Sequence, residues 1–347
     1  MAEVKVNGEW LHSRGNVSGI GWSSRWGSGP CGPDQASCLF AVDPDHDTSA
    51  MRVGSSFEVH ESGLLVFGGV IDEVSRDFPR QVQALGWARR AEDFEALSAG
   101  APTSNPRDAV TDAISRGLPW SNANAFDNTA IGSTGDGVRR LDSLLTEWAD
   151  KTSKRWGVDA YGAAFAASEP TAVTYFLDAS GVDIGVASDG LYTRIQARYV
   201  ATVDGDGNPD TYGTVTASDS TAEALYGTRE FSLDLTGLGQ ILPATATTYA
   251  EAQLALGLRP RWLQRVAVSE GRLLSPGGLP AHLPSVKAGE VVRLFNVPTN
   301  IGGTRYAAAL DVVLGEVSYD TAQPTQITLA PTNLAIRSLA DALAALR

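Results

Sequence analysis

Cysteine is nearly absent: of 347 residues only Cys31 and Cys38 carry thiols. Two cysteines cannot make the framework of a disulfide-built protein, and they leave two readings open, free thiols or one small loop staple. Histidine is almost as scarce. His12, His46, His60 and His282 are the whole set, and none stands in an H-E-x-x-H or H-x-H arrangement that would gather metal ligands. Cations are also in deficit, with Lys+Arg 27 against Asp+Glu 40 and a net charge of −13. A general binder of phosphate backbones would work against its own field. No apolar run reaches the roughly 18 residues that a membrane span requires, so no membrane anchor is expected. The opening MAEVKVNGEW lacks the basic and apolar regions of a secretory signal, which predicts a protein made in a cytoplasm.

Catalytic signatures are missing too. There is no G-x-S-x-G elbow, no G-x-x-x-x-G-K-[ST] loop, and no G-x-G-x-x-G between a strand and a helix. Carboxylate pairs such as Asp72 with Glu73, or Asp234 near Glu230, are abundant, but nothing marks one pair as a buried acid and base. Asp43, Asp45, His46 and Asp47 read as a solvated turn. Asp204-Gly-Asp206-Gly-Asn208-Pro-Asp210 approaches a calcium loop, yet Pro209 stands where glycine is required and Val215 where a bidentate glutamate belongs. A hairpin turn is the expectation there. The sequence therefore predicts no catalytic residue, no cofactor and no metal.

What is present is a strand-rich chain with a helical interruption, and 43% hydrophobic residues suffice to bury a sizeable core. Residues 1–50 read as a Gly/Ser/Trp-rich N-terminal arm, a long loop or irregular strands, whose Trp10, Trp22 and Trp26 need packing partners in the body or in another chain. SFEVHESGLLVFGGVIDEV (56–74) predicts two strands about a Glu-Ser-Gly turn, and VQALGWA (82–88) a third. Gly68 and Gly69 fit a bulge or a sharp bend in a small curved β domain. Asn105 as cap, Pro106 at the first helical position and the Val110, Ala113, Ile114 stripe predict a short helix ended by Gly117. Val138, Leu141, Leu144, Leu145 and Trp148 predict a second helix reaching about Lys154.

The pattern then returns to strands at TAVTYFLD (171–178) and LYTRIQARYVATV (191–203), where Leu191, Thr193, Ile195, Ala197 and Tyr199 alternate with polar residues. The 204–210 turn joins the latter to YGTVTA as a hairpin. Ser220 and Glu223 predict a capping box before a very short helix closed by Gly227. REFSLDL reads as a strand, 247–256 as a helix, and WLQRVAV, VVRLF, LDVVLGEVSYD and TQITLAP as strands. LAIRSLADALAALR predicts a terminal amphipathic helix. No period of a solenoid or propeller is found.

The order of these segments resembles that of phage tail hub proteins, the minor tail proteins of long-tailed actinobacterial phages. FEVHESGLLVFGGVIDEV followed by QVQALGWARRAEDFEAL is similar to the first barrel of such hubs, with Phe67, Gly68, Gly69, Val70 and Ile71 as its motif and Gly86 and Leu97 following. NPRDAVTDAISRGLPW and GVRRLDSLLTEWADKTSKRWGVDAYG resemble their helical element. Tyr226-Gly227-Thr228-Arg229, Ala250 to Leu254, and Gly289-Glu290-Val291-Val292 match elements of their second half. The resemblance covers roughly residues 50 to 330 and rests on order, since no single motif is specific.

This resemblance implies a mainly β fold with inserted α elements: two small β-barrel-like tail-tube domains plus helical and α+β peripheral elements. The implied divisions are the arm (1–50), a first barrel portion (51–100), the helical element (101–165), a second strand-rich α+β region (166–280), barrel-completing strands (281–332) and the C-terminal helix (333–347). It implies a structural virion protein without enzymatic activity, at the tail tip, forming a homotrimeric ring that adapts the sixfold tail to a threefold tip. The partners it implies are the distal tail protein, the tape measure protein and other tail-tip proteins, with genomic DNA passing through unbound. Similar strand topology in the two barrels is a further implication. Trp10, Trp22, Trp26, Phe67, Gly68, Gly69, Tyr226, Gly227, Arg229, Gly289 and Glu290 are the candidate structural or interface residues. A hexameric distal tail protein or other baseplate component, and a carbohydrate-binding or cell-wall-degrading tail protein, are the alternatives.

Overall fold

The computed structural model describes residues 2–27, 29–41, 51–75, 78–128, 131, 139–152, 154–185, 191–205, 208–258, 261–298, 300–301, 304–305 and 308–332. The Asp-rich turn at 43–47 and the terminal helix expected at 333–347 lie outside them. The described chain divides into two units, the first from Met1–Gly181, Gln264–Phe295 and Ala309–Asn333, the second from Val182–Leu263 and Asn296–Ala308.

The first unit opens with β1 (Ala2–Val6), β2 (Glu9–Trp10), β3 (Asn16–Arg25), β4 (Gly32–Ala41), β5 (Ser56–Glu61), β6 (Leu64–Val74) and β7 (Arg80–Gly86), in the spatial order β3-β4-β7-β6-β5-β1-β2. All neighbours are antiparallel. Of the two readings of the opening segment, a long loop or irregular strands, it is strands that form: β3 and β4 are interior strands of the sheet, and their pairing carries two register shifts. Their Gly and Ser content masks a period-two pattern in which Ile20, Trp22, Ala36, Cys38 and Phe40 are buried. The Glu-Ser-Gly turn between β5 and β6 is present, with Ser62 and Gly63 both at positive φ.

After the short pair β8 (Leu97–Ser98) and β9 (Ala101–Pro102) come α1 (Pro106–Ser115) and α2 (Leu141–Thr152), then β10 (Arg155–Val158), β11 (Ala164–Ala167) and β12 (Val173–Asp178). Asn105 caps α1 as expected, its side chain accepting from Asp108 N. The two helices share a core of Val110, Leu141, Leu144, Leu145, Trp148 and Trp156. The indoles there do not orphan their donors: Trp148 Nε1 reaches Asp127 Oδ1 at 2.9 Å and Trp120 Nε1 reaches Trp87 O at 2.9 Å.

The second unit holds β13 (Ile184–Gly185), β14 (Arg194–Val203), β15 (Pro209–Ser218), α3 (Ser220–Tyr226), β16 (Glu230–Asp234), α4 (Pro243–Leu258) and β17 (Arg261–Trp262). Strands order as β15-β14-β16, antiparallel then parallel. Ile195, Ala197 and Tyr199 of β14 pack on Tyr249, Ala250 and Leu254 of α4, which explains the strict alternation along that strand. α4 runs through Gly257, past the end expected at residue 256. The cap of α3 is Asp219, whose carboxylate accepts from Thr221 N and Ala222 N at 2.9 Å each, in place of the expected Ser220. Gly227 closes that helix at φ 75°.

The chain then returns to the first unit with β18 (Val266–Ser269), β19 (Leu273–Leu274) and β20 (Val291–Phe295). It crosses the short β21 (Asn300–Ile301) and β22 (Thr304–Arg305) of the second unit, and finishes with β23 (Ala309–Asp320) and β24 (Gln326–Pro331). β23 is the junction. Its first half pairs with β20, and its second half lies between β24 and β3. One 13-stranded sheet results, running β19-β12-β20-β23-β3-β4-β7-β6-β5-β1-β2 with β24 and β18 branching from β23. The fold is mainly β. Its hydrogen-bonded pairing closes no ring among the described residues, because β23, at 12 residues, is long enough to join the strands of both halves into one open sheet.

Candidate assembly surface

The aromatic residues marked in the sequence separate by burial. Trp22 is packed on Tyr319 at 4.7 Å between centroids and Trp26 is stacked on Phe165 at 6.2 Å. Both are at most 9% exposed, so they hold this chain together and offer no surface. Trp10 is 40% exposed, edge-on to His60 with Lys5 Nζ 5.3 Å from its ring. Phe67 is fully buried against Phe57. A Cβ at Gly68 would sit 2.0 Å from Ala160 O, and one at Gly69 2.0 Å from Leu85 O, so both glycines serve close backbone packing of β6.

Tyr226, Gly227 and Arg229 lie together in the second unit. Arg229 N donates to Thr193 Oγ1 at 2.8 Å, and Arg229 O accepts from Thr193 N and Arg194 N. Thr193 Oγ1 in turn donates to Gly227 O at 3.0 Å. These contacts brace the turn from α3 into β16. In the first unit, Gly289 abuts Trp26, and Glu290 Oε2 accepts from Lys287 N at 2.7 Å. Burial pushes the Glu290 carboxyl above its ordinary range, and burial together with Glu290 pushes the Tyr175 hydroxyl up to about 12.

Gly289 also has a counterpart the sequence reading did not single out. Gly54 N donates to Ile71 O at 2.8 Å and Ile71 N to Ser55 O at 2.9 Å; Gly289 N donates to Leu314 O at 2.7 Å and Leu314 N to Glu290 O at 2.9 Å. Ser56 then pairs with Val70 as Val291 pairs with Val313. Beyond this point both central strands carry a register shift at the same station, between Ile71 and Glu73 in β6 and between Leu314 and Glu316 in β23. β5-β6-β7 and β20-β23-β24 are therefore copies of one three-strand unit, with Phe57, Val59, Ile71 and Val82 buried in one and Val292, Leu294, Leu314 and Leu329 in the other. The flanking strands differ: β1 is antiparallel to β5, whereas β12 is parallel to β20. A glycine two residues before an alternating strand is the sequence signal common to both copies, and it is too frequent to stand out.

Where β23 meets β3, residues directed away from the core form rows that are mostly small or polar, with Asp320 at one end. Asp320 pairs with Gly21, Gly21 with Ser37, and Ser37 with Gln83, in register across β23, β3, β4 and β7. Thr328, Ser318 and Ser23 make a parallel row, and Ser23 Oγ donates to Gln35 O at 3.4 Å. These rows line an open concavity of about 550 Å³.

Asp204 Oδ1 accepts from Asn208 N at 2.8 Å, closing the hairpin, while Asp206 of the same turn lies outside the described residues. His60 Nε2 is 2.9 Å from Glu58 Oε2 on the same strand. Among the described residues, no three His, Cys, Asp or Glu side chains gather closely enough to hold a metal ion. Cys31 and Cys38 are both buried and are not joined in a disulfide.

No family profile matches the chain, and no curated protein does. Solved structures do. The 43 kDa tail protein of prophage MuSo2 from Shewanella oneidensis aligns over 94% of this chain and 96% of its own, with a TM-score of 0.58 at 12% identity. A tail protein from Neisseria meningitidis MC58 aligns over 94% of both chains with a TM-score of 0.57 at 15% identity. At these identities the likeness is one of fold, and the chain shares the architecture of these two tail proteins along nearly its whole length.

Proposed function

We propose that this chain is a structural protein of a phage tail, and that three copies form the hub ring at the tail tip. In this reading the ring joins a sixfold tail to a threefold tip and surrounds the channel through which the tape measure protein and then DNA leave. The supporting observation is the duplicated three-strand unit, each copy read as part of the wall of a barrel-like tube domain. Three chains with two copies each present six equivalent elements to a sixfold neighbour, and three chains to whatever lies below. A hexamer of the same chain would present twelve, so the duplication favours the trimer over a hexameric distal tail protein. The distal tail protein above and further tail-tip proteins below are the partners, and the site of action is the virion. The reading assigns no catalytic step to the chain.

The test is the symmetry of the ring in the particle that carries the protein, by electron microscopy with a tagged chain, together with the mass of the purified protein. A threefold ring at the tail end is the expected result. A sixfold ring overturns the hub in favour of a distal tail protein, and absence from the particle overturns the tail assignment altogether.

A further inference from the structure

We infer that the free edge of β15 in the second unit takes on one more strand, an extended and uncharged segment of another tail protein, added in register to β15-β14-β16. β15 is paired on one side only: β14 is its single neighbour among the described residues. Which of its backbone groups are left over follows from the ladder. Asp219 N donates to Thr193 O at 3.1 Å, while on the other side of β14 Arg194 N donates to Arg229 O at 3.0 Å and Leu235 N to Arg198 O at 2.8 Å. Odd-numbered residues of β14 therefore bond to β15 and even-numbered ones to β16. In β15, Gly213, Val215 and Ala217 face β14, and Thr214, Thr216 and Ser218 turn their N–H and C=O groups outward. These outward residues are exposed, and their donors and acceptors stand at the roughly 7 Å repeat of a strand edge.

The devices that keep such an edge apart from other chains are missing here. From Thr211 to Ser218 the sequence TYGTVTAS has no charge and no proline, in a chain of net charge −13. Register with β14 is unbroken from Tyr212 to Ser218, the shifts lying at Thr202. β16, the other margin of the sheet, instead carries Glu230 and Asp234 on its outward residues. The edge of β15 also has an unfinished apolar side. Tyr199 crosses Gly213, where a Cβ would lie 2.4 Å from its ring, and Ala217 is buried, but Val215 at the margin of the α4 cluster is only half-buried. An added strand would cover Val215 with an apolar side chain on the α4 side and set uncharged polar side chains beside Thr214 and Thr216 on the other. That the strand belongs to a different protein rests on the ring reading above: two β15 edges could meet only about a twofold axis, which a threefold ring lacks.

Hydrogen exchange of the wild-type chain, read on the 211–218 segment, is the direct test. In the purified chain the outward amides should exchange fast; in particles they should slow by about an order of magnitude or more. Equal rates in the two states overturn the proposal. Slowing in the purified chain that grows with its concentration would identify a second copy as the occupant, which overturns it too. Thr216→Pro separates backbone pairing from side-chain contact, because the Thr216 N–H points away from β14 and its loss leaves the β14 ladder whole. The proline variant should melt as the wild type does yet lose the protection of this segment in particles, while Thr216→Ala keeps it. Protection retained with the proline, or lost equally with the alanine, overturns strand addition. Should the proline variant not fold, the wild-type exchange and the alanine variant still decide. Micrographs of the same particles keep the two readings apart: a sixfold or missing ring strikes the ring reading and with it the foreign origin of the strand, whereas fast exchange in particles with a threefold ring strikes the added strand alone.

Discussion

Gly54 and Gly289 occupy the same station in the two copies of the repeated strand unit. Each sits at positive φ, 86° and 90°, and each donates its N–H to the central-strand residue just before the register shift, Ile71 and Leu314 respectively. Their surroundings differ. Nothing lies within 4 Å of a Cβ at Gly54, whereas a Cβ at Gly289 would meet the Trp26 ring at 2.5 Å. The backbone geometry is therefore a property of the repeat, and the packing at each glycine is a property of its own half.

This difference is measurable. Gly54→Ala should cost about 1–2 kcal/mol, the strain of an alanine in left-handed backbone. Gly289→Ala should carry that strain plus overpacking of about 1–3 kcal/mol against Trp26. Urea unfolding of the two variants checks the order; equal losses would contradict the equivalence or the contact.

The cap of α3 gives a second comparison. Asp219→Ala should destabilise by about 1 kcal/mol because its carboxylate accepts from two otherwise unpaired amides, while Ser220→Ala should stay within about 0.5 kcal/mol. Matched thermal melts of the two variants would show the difference. A larger loss for the serine would restore the capping box read from the sequence.

Glu290 should set a pH dependence of stability opposite to that of an ion-paired carboxylate. Its folded pKa is raised by burial, so the folded state binds the proton more tightly than the unfolded chain. Its contribution is therefore most favourable below the unfolded carboxyl value of about 4.3 and declines as pH rises through the raised value. Glu290→Gln should flatten the stability profile between those two values and raise the melting temperature at pH 7. A parallel profile in the variant would mean that the carboxyl is not the group responsible.

Thiol chemistry follows burial as well. Burial pushes the Cys38 thiol up to about 12, and Cys31 is 1% exposed, so neither should react with an aromatic disulfide reagent in the native protein at pH 8. Both should react once the chain is unfolded. Rapid native labelling of either would show that the sheet opens locally.

Local structure was largely legible in the sequence. The Asn105 cap and Pro106, the Leu144 and Trp148 stripe of α2, the Ser62-Gly63 turn, and the alternation from Leu191 to Tyr199 all depend on neighbours within a few residues, and the period of apolar side chains reports them directly. The tail-protein likeness was legible only as an order of segments.

The placement of those segments was decided by tertiary structure. The Gly- and Ser-rich strands β3 and β4 look like loop because what makes them strands, pairing with β23 on one side and β7 on the other, comes from residues far along the chain. Trp22 and Trp26 resemble interface residues until Tyr319 and Phe165 are brought to them. A repeat was implied by the resemblance, but its strands could not be picked out of the residues, because the two copies share hydrogen-bond geometry and register shift without sharing side chains, apart from the glycine each needs for its positive φ. The concavity likewise exists only once Ser318, Ser37 and Gln83 are brought together on β23, β4 and β7. The amino-acid sequence sets period and charge along one strand at a time, whereas a surface is made by register between strands, which long-range pairing alone determines.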